Sequence, residues 1–212
     1  VEKIVKDSFV NKVEYGIDHT STSLLFRAKL EDQEAWAKIV SLYSPVIYRW
    51  CRSFGLSGDE SQGVGQDVFI ALLRKLPEFE KRKEQASFRS WLKKITKNKC
   101  LDFLRLKHEE AEAMGGTNAQ EFMQQIATYE KEKEEDPTLR QIEKVILYRQ
   151  AMGILEAEFS DRDWTIFVRV VVEGRDPLHV AEELETSVNN VYVVKSRVLR
   201  CLREEFADLI GD

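Results

Sequence analysis

The chain has 212 residues, 43% of them hydrophobic and 33% charged, a balance that suits one medium or two small helical cores and excludes fibrous and disordered classes. A formal net charge of −5 speaks against a nucleic-acid binder unless the charge is unevenly spread, because phosphate binding needs positive charge. Cys51, Cys100 and Cys201 stand far apart and outside any CxxC pair, so no disulfide framework, metal or cofactor is expected; with no run of about 18 apolar residues and no signal-like start, a cytoplasmic protein is.

Residues 1–20 form an N-terminal extension without a recognisable pattern. After Thr20-Ser21-Thr22-Ser23, which offers N-cap candidates, Leu24, Leu25 and Ala28 begin a short amphipathic helix. From Ala35 to Phe54 the residues Trp36, Ile39, Val40, Tyr43, Ile47, Trp50, Cys51 and Phe54 recur at helical spacing, with Pro45 as the place for a bend or break. Gly55, Gly58 and Asp59 make a turn and helix start, Val64, Val68, Ala71, Leu72 and Leu76 continue the apolar stripe, and Pro77 closes it. Ser87 is the next N-cap, followed by Phe88, Trp91, Leu92, Ile95, Leu101 and Leu104. Between His108 and Asp136 nine acids oppose two bases and Gly115-Gly116 interrupts any helix, which predicts an acidic linker over 108–137. A second helical region, 138–212, is predicted to break at Gly153, Ser160-Asp161, Gly174 to Pro177, and Glu185 to Ser187. Within it Ile166 to Val172 has the β-branched density of a strand, but Trp164, Phe167, Val168, Val171 and Val172 fit helical spacing and no second strand is available to pair with it. The expected fold is all-α: two small helical domains, 21–107 and 138–212, joined by the linker.

Two segments carry chemistry. From Arg89 to Lys107 the bases Arg89, Lys93, Lys94, Lys97, Lys99, Arg105 and Lys107 oppose only Asp102, a net +6 inside an acidic chain. Lysines on a helix are often merely its solvated face, but a local excess against the overall sign favours a nucleic-acid footprint. Arg89, Lys93, Lys94 and Lys97 are predicted on the flank away from Leu92 and Ile95, and the Asn98 amide can both donate to and accept from a base edge. The other segment, Pro177 to Leu184, Glu185-Thr186-Ser187 and Val188 to Arg197, has the layout of a helix-turn-helix, with Val180, Leu184, Val188 and Val191 as shared core; an ordinary helical hairpin is the alternative. In its second helix Asn189, Asn190 and Tyr192 are placed for base edges, and Lys195, Ser196, Arg197 and Arg200 for phosphates and edges further on.

These residues resemble the extracytoplasmic-function (ECF) sigma factors from about Leu24 to Phe206. Glu60-Ser61-Gln62-Gly63-Val64-Gly65-Gln66-Asp67-Val68-Phe69 is similar to the family's D-A-E-D-L-V-Q-E-V-F helix, and Phe88 to Arg105 follows its F-x-x-W-L-x-x-I-x-x-N-x-x-x-D-x-x-R pattern. The resemblance implies a subunit of RNA polymerase, not an enzyme. It implies that Glu60, Gln62, Gln66, Asp67 and Phe69 grip the polymerase clamp, that the Phe88–Arg105 element recognises and opens the minus-ten element, and that the helix-turn-helix reads the minus-thirty-five element. Core RNA polymerase and promoter DNA, duplex and melted, are the implied partners, with an anti-sigma factor as a candidate regulator. Gly63 and Gly65 depart from the family pattern, and Lys195-Ser196-Arg197 comes one turn later than the family's T-V-K-S-R. A helix-turn-helix regulator acting without polymerase is the rival reading.

Overall fold

The computed structural model describes residues 23–79, 87–113 and 136–210, apart from the side chains of 111–113 and 208. Among the described residues there are eight α-helices and no strand: α1 (Leu24–Lys29), α2 (Gln33–Ser53), α3 (Gly58–Lys75), α4 (Phe88–Ala113), α5 (Pro137–Glu156), α6 (Asp161–Phe167), α7 (Pro177–Glu183) and α8 (Val188–Ile210). The all-α expectation is met. The predicted extension, 1–20, and the Gly115-Gly116 break with the linker acids from Glu121 to Glu135 lie outside the described residues.

Among the described residues the helices gather into two compact units, one made of those up to Leu42 with those from Lys144 onward, the other of those between Tyr43 and Glu143. Both boundaries fall inside helices, α2 and α5. In the Tyr43–Glu143 unit α3 packs along α4 over a core that includes Tyr43, Ile47, Leu56, Val68, Leu72, Phe88 and Leu92. In the other unit α6, α7 and α1 pack on α8, and Leu24, Ile39, Leu155, Phe167, Val180, Val198 and Phe206 are buried.

Local chemistry sets most of the helix ends. Ser23 caps α1 by accepting from the Phe26 N–H, and Asp32 caps α2 by accepting from the N–H groups of Glu34 and Ala35 at 2.9 and 3.1 Å. Helix α2 is continuous across Pro45. Gly55 turns the chain at φ 79°, and α3 then starts with a capping box: the Glu60 N–H donates to Ser57 Oγ and the Ser57 N–H donates to Glu60 Oε2 at 2.7 Å. The predicted cap at Ser87 is present, accepting from the Ser90 N–H at 3.2 Å.

Two boundaries differ from expectation. Helix α4 runs to Ala113, into the stretch expected as linker, because the acids Glu109, Glu110 and Glu112 are good helix formers and nothing before Gly115 stops them. Helix α5 continues through Gly153, where a lone glycine costs about 1 kcal/mol, too little to end a helix. The strand-like run is helical, as its spacing predicts, but from Val168 to Val172 it opens into a π-helical turn in which the Glu173 N–H donates to the Val168 carbonyl at 2.9 Å.

Candidate nucleic-acid interface

An aromatic cluster anchors the first turn of the basic helix α4. Phe88 meets Tyr43 edge-on at 5.4 Å and Phe79 at 5.5 Å, and Trp91 lies against Phe79 at 4.7 Å. Trp91 is therefore packed, as its place on the apolar stripe predicts. With Leu92, Ile95 and Cys100 turned inward, the opposite ridge carries Ser90, Lys94, Asn98 and Asp102, all exposed at i, i+4 spacing. Lys93, Lys97 and Lys99 flank it half-buried. Lys97, Asn98, Leu101, Asp102 and Arg105 line one depression of about 380 Å³, in which Arg105 pairs with Asp102 at 3.5 Å. A surface lined by one amide and two cations offers the donor and acceptor types that bases and phosphates take.

Arg89 does not belong to that surface. Expected on the outward flank, it is 6% exposed and its Nε donates to Glu143 Oε2 at 2.9 Å, while Trp50 Nε1 donates to the other carboxylate oxygen at 2.7 Å. Helical spacing placed it one position from the buried stripe, and the partner that draws it in comes from a distant segment.

On α3, Gln62, Gln66 and Asp67 are exposed and Phe69 is half-buried. Ile70 and Leu73 extend this face at 50% and 53% exposure. They were missed because the stripe of Val64, Val68 and Leu72 accounts for the core without them. Glu60 is committed to structure: besides closing the capping box it pairs with Lys107 at 2.6 Å. The Lys107 ammonium, with the Ser57 N–H, holds its carboxyl at about 2.

The helix-turn-helix layout is present in α7, the turn and α8. Asp176 caps α7 by accepting from the Leu178 and His179 N–H groups. The turn passes through Glu185 at φ 49°, and Ser187 caps α8 by accepting from the Asn190 N–H at 3.1 Å. Arg162 on α6 donates to the Leu184 and Glu185 carbonyls at 2.8 and 3.2 Å, fixing the turn. Of the predicted reading residues, Asn189, Tyr192, Ser196, Arg197 and Arg200 are exposed, and Asn190 and Lys195 are half-buried. Two of these are also engaged within the unit. Asn190 Nδ2 donates to Thr186 Oγ1 at 3.1 Å, and Arg197 pairs with Asp163 and lies over the Phe159 ring at 5.3 Å.

Residues 39–109, which contain this aromatic cluster and basic ridge, match the family model Sigma-70 region 2. Over 190 residues, 86% of this chain and 95% of the relative, the sequence is 25% identical to the ECF RNA polymerase sigma factor SigW of Bacillus subtilis (strain 168). It is 24% identical to the RNA polymerase sigma factor CnrH of Cupriavidus metallidurans over 79% of this chain and 84% of the relative. The RNA polymerase sigma factor NccH of Alcaligenes xylosoxydans xylosoxydans is 33% identical over 40% of this chain and 44% of its own length. The matched segment and these relatives make the chain similar to the ECF RNA polymerase sigma factors.

One cluster of described residues, Glu158, Cys201 and Glu205, brings together groups of metal-ligand type. The carboxylates already hold a cation: Lys38 Nζ pairs with Glu158 and lies 3.2 Å from Glu205 Oε2 and 3.1 Å from Glu34 Oε1. Burial, then Glu205 and Glu158, push the Cys201 thiol up to about 12, so it is a thiol and not a thiolate at neutral pH. The cluster fastens α2 and the residues after α5 to α8. No described helix is long and apolar enough to cross a membrane.

Proposed function

We infer that the chain is an alternative sigma factor that binds core RNA polymerase and directs promoter-specific transcription initiation. The observation that carries this reading is the match of residues 39–109 to sigma-70 region 2, in a segment whose exposed ridge presents Lys94 and Asn98. We assign minus-ten recognition and melting to that ridge and its flanks, Lys93, Lys97, Lys99 and Arg105, within the Tyr43–Glu143 unit rather than a domain 21–107, because α1 and the start of α2 group with the C-terminal helices. The polymerase contact is assigned to Gln62, Gln66, Asp67 and Phe69 on α3, with Ile70 and Leu73 continuing it. Reading of the minus-thirty-five element is assigned to α8, within the unit that also holds α1, α6 and α7, through Asn189, Tyr192, Lys195, Ser196 and Arg200.

In this role the chain is a cytoplasmic binding subunit, not an enzyme, and works by positioning DNA on polymerase. An anti-sigma factor covering the α3 or α8 faces would compete with polymerase and promoter. The deciding experiment is run-off transcription with core RNA polymerase on a randomised promoter library. Initiation from a defined pair of sequence elements is expected with the chain present and not with core alone; tight duplex binding without core, and no initiation with it, would make the protein a conventional helix-turn-helix regulator.

A further inference from the structure

The reading helix carries an apolar residue at its outermost position. On α8 the buried stripe is Val191, Val194, Val198 and Leu202. At about 100° per residue the ridge directly opposite is formed by Asn189, Val193, Ser196 and Arg200, and all four are exposed. Val193, at 52% exposure, stands in the middle of it. A β-branched residue is a weak helix former and gains nothing from facing water. Neither the stability of α8 nor the packing of its unit accounts for a valine there.

The surroundings say what it faces. Between Val188 and Arg203 there are four cations, Lys195, Arg197, Arg200 and Arg203, and no acid, in a chain of net charge −5. Such a surface complements phosphate. The turn that aims this helix is fixed by Arg162 on its carbonyls and by the Ser187 cap, so the outward ridge is held in place. A helix presented in this way enters the major groove, and the apolar feature displayed there is the C5 methyl group of thymine.

We propose that Val193 is a specificity-determining residue that selects a thymine in the duplex promoter element by packing its isopropyl group on the C5 methyl. Asn189 and Ser196, about one turn to either side, serve the hydrogen-bonding edges of the neighbouring base pairs. The proposal rests on the assignment of α8 as the duplex-reading helix.

The test uses the full chain with core RNA polymerase. A randomised library first identifies upstream duplex positions where thymine is favoured. Each such thymine is then replaced by uracil, which keeps the base pair and removes only the methyl. At one position uracil is expected to lower initiation by wild type about fourfold, the effect of exposing one methyl group. Val193→Ala, which keeps the helix because alanine is the better helix former, is expected to initiate with no response to that swap. Wild-type indifference to uracil at every position, or an undiminished response in Val193→Ala, would overturn the proposal. So would a variant that keeps the uracil response but binds core enzyme more weakly, since Val193 would then face protein. If wild type does not initiate with core enzyme at all, it is the sigma reading that fails; binding of the thymine and uracil duplexes to the isolated protein then decides the role of Val193 by the same comparison.

Discussion

Arg89 and Glu143 lie 54 residues apart in sequence, and meet as a buried pair, 6% and 3% exposed, in which Trp50 supplies the third hydrogen bond. Three donors converge on one carboxylate, and the Arg89 guanidinium also lies 5.9 Å from the centre of the Trp50 ring. The arrangement joins α2, the first turn of α4 and the first part of α5 within one compact unit. It fixes the position of the helix that carries Lys94 and Asn98 without using Arg89 for DNA.

Removing one member of such a pair strands a buried charge, which costs about 3–5 kcal/mol. Glu143→Ala and Arg89→Ala are each expected to lower stability by an amount of that order in urea unfolding followed by circular dichroism. The double variant should cost far less than their sum, because the stranded charge is then gone. Additive losses would mean that the two side chains act separately.

The capping box gives a pH signature. Glu60 is held near 2 by Lys107 and the Ser57 N–H, below its unfolded value of about 4.3. A depressed carboxyl contributes its stability fully above the unfolded value and loses it as pH falls from there toward 2. With Lys107 59% exposed, solvent screens much of the pair. NMR titration of Glu60 should give a midpoint near 2, rising toward 4 in Lys107→Ala; an unchanged midpoint in that variant would leave the backbone cap as the whole cause.

Helix periods and cap residues were legible in the sequence wherever the decisive partner is local. Ser23 and Ser87 act within three residues, and the Val180, Val191 core of the helix-turn-helix follows from spacing alone. The bases of α4 were legible as a group, but not which of them face outward. Arg89 was misplaced because periodicity assigns a residue to a face and cannot reveal Glu143 waiting beside it, just as it cannot show that Arg197 and Asn190 bond Asp163 and Thr186. Val193 was passed over for the opposite reason: an apolar residue among Val191 and Val194 looks like core until the angle around the helix is resolved.

The two glycines of α3 are open to a direct check. A Cβ on Gly63 would meet nothing within 4 Å, and one on Gly65 would touch only Ile47 Cγ2 at an ordinary 3.8 Å. Neither position needs glycine for space, and both lie inside a helix. Gly63→Ala is expected to raise stability by up to about 1 kcal/mol, with Gly65→Ala similar or slightly less. Thermal unfolding measures this; a loss of stability at Gly63 would show that the residue's backbone freedom is used.

Asn98 and Asn189 occupy different units and, in the proposed function, different promoter elements. Each is exposed and each follows a helix turn that is capped by serine, Ser87 for α4 and Ser187 for α8. Alanine at either position leaves the cap in place and removes only the amide, so the fold should be undisturbed while a base contact worth about 1–3 kcal/mol is lost. In library-based run-off transcription, Asn98→Ala is expected to relax selectivity only at minus-ten positions and Asn189→Ala only at minus-thirty-five positions. Lys94→Ala should weaken initiation without changing either preference and lower the salt dependence by about 0.7–0.9 in logarithmic slope, as for one phosphate contact. Should both asparagine variants relax the same base pairs, the assignment of separate elements to α4 and α8 fails; an unchanged slope for Lys94→Ala would leave that lysine as part of a solvated face.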